Sequence, residues 1–286
     1  MGNNYYALVA GLPDILLEDK KVVHSSIEFR EILKEELRSY DFEMVKLLYM
    51  PFDHKNLLNL LFKKEAEWDR RGNFSRDDME MFQDRKNYEL AETMNLPDYL
   101  VDFLNDFHGT EDIENYYEAE LLLNNSYYTY LSQSKNKFLR DVVRYQSVVG
   151  NIMVALNGRK YDIAFENNLV GDDDLTAALK KSRSRDFGLA NEVSGIEQLI
   201  QIFEMNNLLE RELKLDYHKW QFLDESTFFN YFSIEKVLAF VIKLFIVERW
   251  MDLDNEKGKE MFNQLLNDLE AGFQFPEEFT LAYGKK

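Results

Sequence analysis

Only four prolines and twelve glycines interrupt the 286 residues of this chain. With so few residues that break or kink a helix, and with Leu, Glu, Lys, Asn and Phe abundant, an all-α protein is expected. The apolar spacing agrees: Phe29, Ile32, Leu33 and Leu37 share one helical face, as do Ile196, Leu199, Ile200 and Phe203. Ser25 with Glu28, and Ser194 with Glu197, have the three-residue spacing of a capping box, and Ser75 with Asp78 is a related pair. Helices are expected near 26–38, 41–49, 54–70, 76–93, 97–107, 111–134 and 136–157. Further helices are expected near 159–168, 173–182, 194–214, 217–231, 233–251 and 256–271. The opening run YYALVAG has no helical period and ends in Gly-Leu-Pro, which suggests a short buried extended segment. In it Gly11 would allow close approach and Pro13 would end the run.

A chain this long buries roughly 75% of the surface its unfolded form exposes, so it needs no staple. It has no cysteine, which fits a reducing compartment and excludes thiol nucleophiles, Cys-ligated zinc and iron–sulfur clusters. Its net charge of −18 opposes nucleic acid and anionic lipid headgroups, so no nucleic-acid role is expected. No Lys or Arg precedes Lys20, so the opening lacks the basic start of a secretion signal. The longest strongly apolar run, VLAFVIKLFIV at 237–247, contains Lys243 and is too short for ~30 Å of hydrocarbon. A cytoplasmic protein is expected, reaching a membrane only through partner subunits.

One pattern recurs. FDHKNLLNLLFKK (52–64), YQSVVGNIMVALNGRK (145–160) and FSIEKVLAFVIKLFIVER (232–249) each place an aromatic and a polar turn before an apolar helix that ends in basic residues. Measured from Asp53, Ser147 and Ser233, the steps are 94 and 86 residues, each close to a third of the chain. Apolar helices are common in any all-α protein, and cations suit helix C-termini in any case. No Ser/Gly/Pro-rich linker marks a boundary, so a single domain is expected over 1–286.

The signatures of chemistry are largely missing. The chain has no GxxxxGK[ST], no GxGxxG and no HExxH, and its four histidines are far apart in sequence. Asp172, Asp173 and Asp174 lack the alternating ligands of a calcium loop and are better read as a cap for the next helix. No catalytic residue, metal ligand or cofactor is therefore assigned. KKSRSR (180–185) puts Lys180, Lys181, Arg183 and Arg185 together on an acidic chain, as either a docking surface or a solvated loop. The aromatics, 41 of 286, include NYYEAE (115–120) and SYYTYL (126–131), and fill either helical cores or an interface.

YYALVAGLPDI (5–15), SSIEFREILKEEL (25–37) and YMPFDHKNLLNLL (49–61), taken in order, resemble a bacterial family of formally unknown function. Genes of that family typically lie among those for V/A-type ATPase subunits. NIMVALNGRKYDIAFENNLVGDDDLTAAL (151–179) and FSIEKVLAFVIKLFIVERWMDLD (232–254) are more remotely similar to the C subunit of V/A-type ATPases, called the d subunit in eukaryotic enzymes. The resemblance implies a helical fold of three degenerate repeats, here 1–95, 96–190 and 191–286. It further implies a non-catalytic role coupling the central-shaft subunits to the membrane rotor ring, and a place at the inner membrane held through that complex. The opening lacks the Arg-rich helix with which the C subunits begin, so contacts made by that helix do not carry over. A helical adaptor unrelated to the ATPase, and an enzyme with a helical active-site cavity, are the alternative expectations.

Overall fold

The computed structural model describes residues 5–83, 96–109, 113 and 115–253. Among the described residues there are eleven α-helices and no strand. They are α1 (Tyr6–Ala10), α2 (Ser26–Glu36), α3 (Ser39–Leu61), α4 (Arg76–Glu80), α5 (Asp98–Gly109) and α6 (Tyr116–Ser132). They continue with α7 (Lys137–Tyr161), α8 (Asp174–Lys181), α9 (Ile196–Phe203), α10 (Leu208–Ser226) and α11 (Ile234–Asp252). Single 3₁₀ turns lie at Met81–Gln83 and Glu166–Asn168. The helix expected over 256–271, and the later part of the one over 76–93, lie outside the described residues.

Three short helices begin with reciprocal caps. Ser25 Oγ accepts the Glu28 N–H at 3.2 Å, and the Glu28 carboxylate accepts the Ser25 N–H at 2.8 Å. Ser75 and Asp78 do the same at the start of α4, and Asp173 and Thr176 at the start of α8. The box expected at Ser194 and Glu197 does not form. Gly195, at φ +80°, is the cap residue of α9, and Glu197 accepts a hydrogen bond from Arg185 instead. Asn207 is a further cap. Its Oδ1 accepts the N–H groups of Leu209 and Glu210 and starts α10 there, so the helices expected over 194–214 and 217–231 resolve into α9 and α10.

The opening run is not extended. Residues 6–10 form one helical turn in which the Val9 N–H reaches the Tyr5 carbonyl at 2.9 Å and the Gly11 N–H reaches Ala7 at 3.0 Å. An isolated extended segment would have no neighbouring strand for these groups, and the turn satisfies them locally. No residue of α1 is buried, but Tyr5 donates its backbone N–H to the Phe232 carbonyl at 2.6 Å and its hydroxyl to Asp41. The Tyr6 ring lies 4.8 Å from that of Phe232, just before α11.

α7 runs further than expected, and α3 joins the helices expected over 41–49 and 54–70 but ends nine residues short of the end of the second. α7 passes through Gly158 to Tyr161, where Asp162 ends it in the left-handed conformation, so no separate helix forms over 159–168. A side chain at Gly158 would meet the Phe165 ring at 2.3 Å, so the glycine admits that ring against the helix. α3 runs through Pro51. Proline lacks the N–H that would bond the carbonyl four residues back, here Leu47. That carbonyl accepts the Tyr127 hydroxyl from α6 at 2.8 Å, which removes the penalty of leaving it unpaired. Tyr127→Phe is expected to lower stability by about 1–2 kcal/mol, read as a lower urea midpoint at unchanged slope.

The apolar side chains form three clusters. The first joins α2, the front half of α3, the start of α7, and α11, with Leu33, Val45, Leu139 and Val241 among its fully buried members. The second joins the rear half of α3 to α4, α5 and α6 through Leu57, Met79, Leu100 and Leu123. The third joins the rear half of α7 to α8 and α9 through Ile152, Leu179 and Ile200. α11 is apolar on most of its circumference because it is buried against α2, α3 and α10. Its Lys243 leaves toward α10, donating to Asp224 at 2.6 Å over the Trp220 ring.

Three polar side chains tie a long helix to another segment. Asn56 of α3 donates Nδ2 to the Asp69 carbonyl at 2.8 Å and accepts the Asp69 N–H at 3.0 Å. Asn151 of α7 makes the same pair of bonds to Val170, both at 2.8 Å. Glu248 of α11 accepts the backbone N–H of Ser26 at 2.5 Å and its hydroxyl at 2.6 Å. The segments held in this way lead into or begin α4, α8 and α2, the three helices with reciprocal caps.

Candidate functional site

A cavity of about 560 Å³ lies where α3, α6, α7, α10 and α11 converge. The order of residues along three of these helices gives it a direction. On α11 the lining runs Ile242, Phe245, Ile246, then Arg249 and Asp252. On α7 it runs Leu139, Val142, then Gln146, and on α6, which packs against α7 as a hairpin, Leu131, Tyr128, Tyr127, then Asn124. The floor is therefore aliphatic and the mouth polar.

Arg71, Asp216, Lys219 and Arg249 also line the cavity. Arg71 grips the Asp69 carboxylate with Nε at 2.9 Å and Nη2 at 2.6 Å, and lies 4.1 Å over the Phe52 ring. Arg249 binds Asp216, which also accepts the Trp250 indole N–H at 2.6 Å. Lys219 makes no ion pair among the described residues, and burial lowers its pKa below the ordinary lysine range, partly offset by Asp216.

A second polar feature sits below Pro51. Asp53 accepts the Phe74 N–H at 3.1 Å and the Asn73 amide at 2.7 Å. Burial pushes its pKa up to about 6 against those bonds. Next to it, His54 hydrogen-bonds the Tyr99 hydroxyl at 2.7 Å, its Nδ1 is buried without a partner, and burial holds its pKa down to about 3.

The basic stretch singled out in the sequence lies away from both. Lys180 and Lys181 close α8, and they and Arg183 are exposed. Arg185 is engaged with Glu197 at 2.5 Å and Glu204 at 3.0 Å. The Arg159 guanidinium donates to the Ser182 and Ser184 carbonyls and lies 3.5 Å over the Phe187 ring, so the stretch is held in place. Asp173 caps α8, as its position in the sequence suggests. Among the described residues no group of three or more His, Asp or Glu has the arrangement to hold a metal ion. Nor is any described helix long and apolar enough to cross a membrane. Of the aromatic segments, Tyr127 and Leu131 are buried in the second cluster, whereas Tyr117 is exposed.

The cavity is not visible in the sequence, because its lining comes from five helices far apart in the chain. Lys219, Asp216 and Arg249 carry no local motif.

A family model described as "Protein of unknown function (DUF2764)" matches residues 1–273. No curated protein and no solved structure matches the chain.

Proposed function

The chain belongs to the DUF2764 family, and on that premise we propose that it is a non-catalytic component of a V/A-type ATPase or ATP synthase, coupling the central shaft to the membrane rotor ring. The proposal rests on the resemblance of its segments to the family encoded beside the ATPase genes and to the C subunits of those enzymes. The observation that carries it is the recurrence of one arrangement in three places. In each, a polar side chain on a long helix, buried for Asn56 and Asn151 and half-buried for Glu248, holds the segment that leads into or begins a reciprocally capped short helix. Asn56 and Asn151 are 95 residues apart, the length of the proposed repeats. The third repeat has no asparagine at the matching place, and Glu248 of α11 makes the comparable contact with Ser26. Its target is α2, so the start of the chain closes onto the last long helix. Three linked, close-packed lobes make a stiff body, which torque transmission requires, and such a body needs no active site.

Membranes from cells lacking the chain should hydrolyse ATP without driving ion transport, and adding the purified protein should restore transport. Transport that remains fully coupled without it would refute the proposal. Lys180, Lys181 and Arg183 form the proposed docking surface for the shaft, with Arg185 fixing the loop behind them. Changing the first three to Ser is expected to slow association severalfold and flatten its salt dependence, because exposed cations chiefly steer encounter. Stopped-flow mixing with purified shaft subunits at two salt concentrations checks this.

A further inference from the structure

We propose that the cavity between α3, α6, α7, α10 and α11 binds a single medium-chain aliphatic carboxylate, with its tail on the aliphatic floor and its head at the polar mouth. The inference is independent of the coupling role. The volume, about 560 Å³, lies within the range of small-molecule pockets. Leu48, Leu131, Leu139, Val142 and Ile242 line the floor and offer only apolar contact. At and above the mouth, Asn124, Tyr128, Gln146 and Lys219 have no side-chain hydrogen-bond partner among the described residues.

All four of these groups can donate hydrogen bonds, and the lysine only donates. Of the two carboxylates at the mouth, Asp216 is bound by Arg249 and Trp250, and Asp252 acts electrostatically on Arg71. The group that complements a set of free donors around one uncommitted cation is an acceptor-only anion, and a carboxylate fits this description. A cationic head would meet Lys219, Arg71 and Arg249, and a neutral alcohol would bring no charge to the ammonium, whose acidic neighbour Asp216 is already bound by Arg249 and Trp250. The lowered pKa of Lys219 reports how far it is desolvated, and an anion in contact would reverse that shift.

The test is isothermal titration of the full chain with octanoate, decanoate and dodecanoate below their micelle concentrations. Decanol and decyltrimethylammonium serve as head-group controls. Decanoate should bind once per chain, tighter than octanoate and weaker than dodecanoate, while the cationic analogue should not bind. Lys219→Gln should weaken decanoate about tenfold to a hundredfold, the range for loss of one charge-assisted bond, with an unchanged far-ultraviolet spectrum confirming the fold. Failure of decanoate to bind, binding without saturation at one per chain, equal binding of the cationic analogue or of decanol, or an unchanged affinity in a folded Lys219→Gln protein would each overturn the proposal.

Discussion

Asn151→Ala and Asn56→Ala are each expected to destabilise the protein by about 2–4 kcal/mol, as large a loss as a buried leucine truncation produces. Each asparagine satisfies both the N–H and the carbonyl of one loop residue, Val170 or Asp69. Alanine leaves two backbone groups without partners beside a buried cluster, and each such group costs about 1–3 kcal/mol unless water reaches it. Asp should be only partly tolerated, because it keeps the acceptor for the N–H but faces the carbonyl with a second acceptor. Equilibrium urea unfolding of the four variants checks both points. Similar losses at the two positions would fit equivalent parts of a repeat. A negligible loss at either would show that its loop is held by something else.

Asp53 and His54 should give the protein opposite and nearly cancelling dependences on acid. The folded pKa of His54, about 3, lies below its ordinary value of 6.5. The unfolded chain therefore binds the extra proton, and stability from this group is present above about pH 6.5 and lost as pH falls toward 3. The folded pKa of Asp53, about 6, lies above its ordinary value of 3.8. Here the folded chain binds the proton, so this group favours folding below about pH 4 and loses that contribution as pH rises through 6. Each slope is about 1.4 kcal/mol per pH unit, and between about pH 4 and pH 6 they oppose each other. His54→Gln, which keeps a partner for Tyr99, should become more stable as pH falls from 6 to 4. Asp53→Asn should become less stable over the same interval. Urea midpoints at half-unit pH steps read the two slopes, and parallel slopes in both variants would contradict the assignment.

The parts of this architecture that are legible in the sequence are the local ones. Ser25 with Glu28 and Ser75 with Asp78 announce their helices because the cap and its partner are three residues apart. Apolar periodicity places α2, and the helices expected over 173–182 and 233–251 match α8 and α11 to within a few residues. Where a local rule fails, a distant residue has intervened. Pro51 reads as a break until Tyr127, from another helix, takes the freed carbonyl. Ser194 and Glu197 read as a cap until Gly195 turns left-handed and Arg185 claims the glutamate. Gly158, between the helices expected over 136–157 and 159–168, lies inside α7 with the Phe165 ring against it. Asn207 is a local signal, a cap inside a run that reads as continuous.

The buried polar groups could not be anticipated in the same way. With 52 acidic residues in the chain, nothing in the sequence separates Asp53 or Asp216 from the solvated majority. Only burial distinguishes them, and burial is set by the packing of several helices. The clamps of Asn56 and Asn151 fall at the same place within the first two expected repeats, 95 residues apart.

Co-purification tests the coupling role most directly. Tagged protein, expressed at its native level and drawn from native membranes in gentle detergent, should bring down the ATPase shaft and ring subunits in fixed ratio to itself. Mass spectrometry reads the ratio. Recovery of the tagged chain without those subunits, from membranes in which the intact ATPase is shown to be present, would contradict it.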